Sequence, residues 1–440
     1  MKIKNWKIVF FTFFLAINSL TGYGADGKER MDRSRLNIGA YFLQPYACSE
    51  QHVKDAKACG IDFIVCMRNE RPVLDLFSKY GLGAIVSGVV PGWWGGDGDN
   101  AGTLNKQNPL TKYDEAAKNF KDHPAIWGID IGDEPSALDF PHYGKIMDRV
   151  KKLFPNQFPY LNLYPNYASV AKNTDSQTIN QLGTTTYEQH IAAYCKNVAA
   201  NYLCYDFYMY STDVNRAYDN LRVVADACQA TNRSMWIVLQ VNSDKEKLWI
   251  SENQLRFQAY TAMAFGAENI IWACYTAGWW HNQVVDSTGK KTQQYEKLKK
   301  VNGEILTLGE NYMKYRRNST SFVGFEGQEN SKWLKGVRQV SESQFDGGVF
   351  KGVALTDGCP MVVGHMLSRS GNNHSALFIC PADDPYDKKP QSHELRFKVQ
   401  GRKIAVTGVN GKVTPAKLED GWYTIPVKSS SALLIEATEE

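Results

Sequence analysis

No C-x-x-C pair, no H-x-H and no H-E-x-x-H spacing occurs in this chain, although it holds nine cysteines and eight histidines. Zinc sites and redox dithiols usually show such short-range pairs. No metal is therefore expected from spacing, and no cofactor either. Asp97-Gly98-Asp99-Asn100 opens like a calcium loop, but no acid stands at its twelfth position. The surrounding stretch Gly95–Gly102 is glycine-rich and acidic, the wrong charge for holding phosphate. No G-x-G-x-x-G fingerprint follows the first apolar run, which argues against a dinucleotide-binding doubly wound sheet.

Long apolar runs are missing as well. The only N-terminal one, Ile8–Ile17, is half of the roughly 20 residues that span a bilayer. Lys2, Lys4 and Lys7 precede it, and Thr21-Gly22-Tyr23-Gly24 follows with small residues, so residues 1–24 read as a cleavable signal peptide. No cysteine marks that junction as a lipoprotein site. The mature chain is then expected in the periplasm or outside the cell, with no membrane attachment. Losing three lysines and no acid lowers the net charge from +4 to +1, which leaves no electrostatic footprint for nucleic acid. The cysteine count is odd, and Cys66, Cys204 and Cys274 sit inside strand-like apolar runs, where cysteine serves as a small hydrophobe.

What is present is an alternation. Between about residues 33 and 312, eight short apolar runs are separated by helical stretches: Leu36–Leu43, Asp62–Met67, Gly83–Gly88, Ile126–Glu134, Tyr160–Tyr164, Tyr202–Tyr210, Met235–Gln240 and Asn269–Tyr275. Eight βα units in that length predict a (β/α)₈ barrel, an α/β fold. The helix before the last run is typical. Ser251 and Gln254 fit a capping box, Leu255, Ala259, Ala262 and Met263 share a face, and Gly266 can close the end. From 318 to 440 helical periodicity disappears. Runs at Trp333–Arg338, Met361–Leu367, Ser375–Ile379, Leu395–Val399, Trp422–Val427 and Ala432–Ile435 predict a β-sandwich. It is either a carbohydrate-binding module or a domain that packs on the barrel's flank.

Barrel enzymes carry their chemistry at the C-terminal ends of the strands. In the fourth run, Trp127, Ile129 and Ile131 suit the helix-facing side, while alternation turns Gly128, Asp130, Gly132 and Glu134 inward, with Glu134 at the mouth. Glu134 is the catalytic candidate; Asp130, one layer deeper, is expected to hold an Arg, Tyr or Asn. The same parity brings Asp206 and Tyr208 inward on run six and Asn162 and Tyr164 on run five. Tyr41, Gln240 and Tyr275 lie at the ends of runs one, seven and eight. Two mouth loops carry tryptophan pairs, Trp93-Trp94 and Trp279-Trp280, suited to stacking on sugar rings or to packing on each other.

The chain resembles clan A glycoside hydrolases of the β-galactosidase-like kind, a barrel followed by a C-terminal sandwich. The resemblance rests on Ile126-Trp127-Gly128 leading to Asp133-Glu134-Pro135, on Asp206-Phe207-Tyr208, and on Gln258-Ala259-Tyr260 through Phe265-Gly266-Ala267. It implies a hydrolase of glycosidic bonds, exported if the signal peptide is cleaved, with Glu134 as general acid/base and a carbohydrate as partner; the alternative is a glycan-binding protein that has lost catalysis. Two positions depart from the clan: Asp133 stands where Asn is usual, and Gln240 stands where the nucleophilic Glu belongs. An amide cannot serve as nucleophile. Asp206 is then the second carboxylate, and an inverting reaction is expected, which needs the two carboxyls about 6.5 to 9.5 Å apart. Asp133, Tyr41, Trp93, Trp94, Asn162, Tyr164, Tyr208, Gln240, Tyr275, Trp279 and Trp280 are the expected substrate contacts. Sugar, linkage and oligomeric state are open.

Overall fold

The structure, a computed structural model, describes residues 29–439 apart from 95–99, 171–179, 325–333, 335, 336, 338, 388, 413 and 414. The expected signal peptide, Asp97-Gly98-Asp99 of the calcium-loop-like stretch and most of the Trp333–Arg338 run lie outside the described residues. Eight parallel strands close a barrel: β1 (Asn37–Tyr41), β2 (Phe63–Met67), β3 (Gly83–Val86), β4 (Ile126–Asp133), β5 (Phe158–Leu163), β6 (Tyr202–Phe207), β7 (Ser234–Gln240) and β8 (Ala267–Ala273). Closure is made by β1 on β8, with Asn37 opposite Asn269. The helices between and after them are α1 (Glu50–Ala58), α2 (Arg71–Tyr80), α3 (Leu104–Gln107), α4 (Leu110–Lys118), α5 (Phe140–Leu153), α6 (Tyr187–Asn197), α7 (Val214–Thr231), α8 (Glu252–Ala264) and α9 (Gln293–Tyr312). Among the described residues no helix is long and apolar enough to cross a membrane.

The N-terminal end of the barrel is plugged by aromatic rings. Trp236 meets Phe63, Phe158 and Tyr202, the last stacked at 4.4 Å, and the Arg33 guanidinium lies 5.0 Å from the Phe158 and Trp236 ring centres. Glycine at 83 makes room: a Cβ there would sit 2.1 Å from the Trp127 ring. Trp127 itself corrects the parity reading. It occupies the irregularity where β3 and β4 slip register, and its ring leans on Phe63 instead of facing the helices. Above this plug the Tyr41 and Tyr160 hydroxyls meet at 2.9 Å. With the lower barrel filled by apolar and aromatic bulk, space remains at the C-terminal mouth.

The sandwich has two antiparallel sheets. Its further strands are β9 (Tyr315–Val323), β10 (Asp346–Gly347), β11 (Phe350–Leu355), β12 (Met361–Ser368), β13 (Ser375–Pro381), β14 (Ser392–Val399), β15 (Lys403–Gly408), β16 (Lys417–Glu419), β17 (Trp422–Lys428) and β18 (Leu433–Thr438). One sheet runs β10-β11-β14-β17-β16, the other β15-β18-β13-β12-β9. In the second sheet Val363, Leu377 and Ile379 fill the space between the sheets, whereas Val362, Phe378 and Cys380 join the barrel's core. A strand apolar on both faces is buried on both faces. The capping box on α8 is present, but eleven of its thirteen residues are buried, because β12 and β13 cover the side that would otherwise meet water. A Cβ on Gly364 would lie 2.3 Å from the Ala264 carbonyl oxygen, so sheet and helix touch backbone to backbone. This domain packs on the flank of the barrel. All nine cysteines are free thiols.

Candidate active site

The end of β4 is held from both sides. Asp133 N–H donates to the Trp93 carbonyl at 2.8 Å and Glu134 N–H to the Asn162 carbonyl at 2.9 Å. Just before them Gly132 adopts φ +150°, and a Cβ there would come within 2.2 Å of the Tyr143 hydroxyl and 2.8 Å of the Trp93 carbonyl. Glu134 itself takes φ +43° ahead of Pro135. A residue before proline is disfavoured in the right-handed helical region, and non-glycine residues at positive φ gather where the fold over-determines a functional side chain. The sequence Gly-Asp-Glu-Pro thus turns the chain sharply at the mouth.

Three carboxyls converge there. The Asn162 side-chain amide donates to Asp133 Oδ1 at 3.0 Å and to Asp206 Oδ1 at 2.9 Å, so β5 bridges the acids of β4 and β6. The Tyr167 hydroxyl donates to Asp206 Oδ2 at 3.4 Å, and Glu134 lines the same cleft. Burial raises both Asp133 and Asp206 above the usual carboxylate range, and the charge of Asp206 raises Asp133 further. Neighbouring carboxyls so placed hold a proton between them into less acidic solution than an isolated acid would.

A cleft of about 260 Å³ opens over this cluster, lined by Tyr41, Trp94, Asp133, Glu134, Asn162, Asp206, Tyr208, Trp279 and Trp280. All nine were expected from the sequence. Trp94 is 66% exposed and pairs by a backbone bridge with Asp133, which fixes its loop against the acid cluster. On the far wall Trp280 meets Tyr208 edge-on at 4.9 Å, while Trp279 is set against Tyr41 at 5.6 Å and Phe42 at 5.7 Å. Larger cavities exist, of about 590 Å³ against α8 and α9 and about 490 Å³ beside α7, but neither includes the mouth residues.

Four expected contacts do not reach the cleft. Trp93 is half-buried, packed against the core, and its carbonyl accepts from the Asp133 N–H. Tyr164 is buried with its ring toward His190, and Tyr275 is buried with its N–H on the Tyr41 carbonyl. Both follow the last residue of their strand, where alternation no longer governs direction. Gln240 is fully buried: its Oε1 accepts from Tyr210 N–H at 3.1 Å and its Nε2 donates to Ser211 Oγ at 2.8 Å, so the amide secures the loop after β6. Asp130 also departs from expectation. It accepts from the Ser87 hydroxyl at 2.7 Å and the Gly132 N–H at 3.2 Å, bracing β3 and the turn below Glu134. Sequence reasoning passed over Tyr167 and Asn242; Asn242 Nδ2 donates to the Trp279 carbonyl at 2.6 Å and anchors that loop. Both lie just beyond strand ends, the same signal that drew attention to the tryptophans.

Neither a protein-family model nor a curated protein sequence matches the chain. Solved structures do. A family 39 glycoside hydrolase from the gut symbiont Bacteroides cellulosilyticus WH2 superposes with a TM-score of 0.51 at 12% identity, over 94% of this chain and 83% of that one. An Anoxybacillus α-amylase gives 0.51 at 10% identity over 93% and 99%. A Paenibacillus cycloisomaltooligosaccharide glucanotransferase gives 0.51 at 8% identity over 92% and 85%. The chain shares with them the fold of a closed eight-stranded barrel carrying a β-sandwich.

Proposed function

We propose that this chain is an exported glycoside hydrolase in which Glu134 is the general acid that protonates the leaving glycosidic oxygen. The observation that carries the reading is the convergence of Glu134, Asp133 and Asp206 in one cleft walled by Trp94 and Trp280, with Asn162 bridging the two aspartates. Buried carboxyls gathered at one mouth do not all ionise readily, as the raised Asp133 and Asp206 indicate, so a proton stays there for delivery. Tryptophan faces suit the apolar faces of a sugar ring, and Asp133 and Asn162 suit its hydroxyls. Asp206 is assigned as the second carboxyl, which balances positive charge at the anomeric carbon. Serving as base for an attacking water would require the two carboxyls to stand about 6.5 to 9.5 Å apart around the bound sugar. Export rests on Lys2, Lys4 and Lys7 ahead of Ile8–Ile17.

One observation favours a second reading, a glycan-binding protein without catalysis: the end of β7 offers the cleft no carboxylate. A panel of oligosaccharides presented to the purified protein separates the two. Release of smaller sugars by the wild type and not by Glu134→Gln supports hydrolysis; retention of a glycan by both without cleavage supports binding alone.

A further inference from the structure

We propose that the sandwich holds a zinc-class divalent cation between Cys359 Sγ, an Asp383 carboxylate oxygen and His393 Nε2. No two of these residues are close in sequence, and the fold brings their ligand atoms within 4.8 Å of one another. Cys359 lies in the link from β11 to β12, Asp383 just past β13, and His393 on β14. Since β11 and β14 belong to one sheet and β12 and β13 to the other, the trio clips the two sheets together at one end.

The arrangement around His393 points to a cation. Its side chain is 1% exposed, and Nδ1 lies 2.7 Å from Asp357 Oδ2. A ring N–H donated to that carboxylate fixes the tautomer and directs the lone pair of Nε2 inward, the carboxylate–histidine–metal relay of many zinc sites. Inward of Nε2 stand Asp383 Oδ2 at 3.1 Å and Ser429 Oγ at 3.1 Å, and Asp383 Oδ1 lies 2.9 Å from Cys359 Sγ. In that tautomer two lone-pair atoms, Nε2 and Oδ2, face each other in a buried space. A dication between them removes the conflict, and a thiolate with one carboxylate neutralises its charge. Tetrahedral zinc with bonds of about 2.0 to 2.3 Å holds its ligand atoms roughly 3 to 4 Å apart, so little movement is required. Three protein ligands leave a fourth position, which Ser429 Oγ or water can take. Asp357 is 47% exposed and marks the way in. Thiolate, imidazole and carboxylate together suit zinc better than calcium or magnesium.

The clip also bears on the barrel. The loop that starts at Asp383 carries Tyr386, whose ring meets Tyr210 at 5.8 Å, and the Asp387 carbonyl, which accepts from Asn253 Nδ2 at 2.7 Å. Binding at Asp383 thus steadies the contact between sandwich and α8.

The test uses the full chain, stripped of metal by a chelator and titrated with Zn²⁺ and, separately, Co²⁺. One equivalent of each is expected to bind, with a rise in melting temperature and, for Co²⁺, a near-ultraviolet thiolate charge-transfer band. Cys359→Ser should lose the band, and Asp357→Asn should bind about 10 to 100-fold more weakly while keeping it. If the unaltered chain shows neither band nor thermal shift, Cys359, Asp383 and His393 hold one another without a metal, and the proposal fails. A band that persists in Cys359→Ser would place the metal at another thiol and overturn it equally.

Discussion

The ends of β4 and β7 look alike in sequence, each an apolar run closing on a polar side chain, yet they do opposite work. At β4 the backbone is pinned by Trp93 and Asn162 through its own N–H groups, which leaves the Glu134 side chain to the cleft. At β7 the side chain is the pin: both polar atoms of Gln240 are taken by Tyr210 and Ser211. A polar residue at a barrel mouth is available for chemistry only when something else secures the local chain. The largest expected effect follows from the first half of that contrast. Glu134→Gln keeps shape and removes the transferable proton, so kcat should fall by about 10² to 10⁴-fold while glycan affinity, measured by calorimetry, changes within a few fold. Full activity in that variant would remove Glu134 from the reaction.

The second half is tested by Gln240→Glu. A clan nucleophile restored by sequence alone would raise the rate, but the structure predicts otherwise. The Ser211 hydroxyl already donates to Asp244 at 2.8 Å, so a carboxylate at 240 loses its donor role and faces an acceptor in a fully buried place. Loss of stability on the order of 1 to 3 kcal/mol with no gain in turnover is expected, read by denaturant unfolding and by assay. A faster variant would mean that the end of β7 reaches the substrate after all. Trp94 and Trp93 sharpen the same distinction on a loop. Trp94→Ala should raise KM about tenfold and leave the melting temperature nearly unchanged, since the ring is 66% exposed; Trp93→Ala should lower the melting temperature. The reverse pattern would make the exposed ring a packing element.

Why these pairs could not be told apart beforehand is a matter of where periodicity stops. Within the strands, alternation placed Asn162 and Asp206 correctly, and the eight runs coincide with the eight strands within a few residues. Beyond the last ladder bond, at Tyr164 and Tyr275, direction is set by loops, and a two-residue period says nothing about them. The polar β9, Tyr-Arg-Arg-Asn-Ser-Thr-Ser-Phe-Val, has no apolar run to notice because it edges a sheet, and the short β10 and β16 are similarly mute. That α8 is buried nearly all round is likewise not legible locally, since the sandwich that covers its outer side comes about a hundred residues later in the chain. Cys359, Asp383 and His393 carry no spacing signal at all, and only the meeting of two sheets joins them.

The smallest effect concerns what the acid cluster costs the fold. Asp133 is raised chiefly by burial and then by the charge of Asp206, so the folded chain binds a proton there at pH values where the unfolded chain, near the ordinary value of about 4, has released it. The sign follows: stability is unaffected in acid below that value and declines as pH rises from it through the raised folded value. Asp133→Asn removes this penalty while its side-chain oxygen can still accept from the Asn162 amide. The variant should therefore match the wild type near pH 4 and exceed it at pH 8 by on the order of 1 kcal/mol for each unit of the shift, measured by urea unfolding at both pH values. Gln240→Asn offers no such relief, since no titrating group stands at β7. If Asp133→Asn were no more stable at pH 8 than at pH 4 relative to the wild type, the acids at β4 and β6 would be better solvated than their burial implies. The contrast between a chemically charged mouth at β4 and a mechanically braced one at β7 would then lose its electrostatic half.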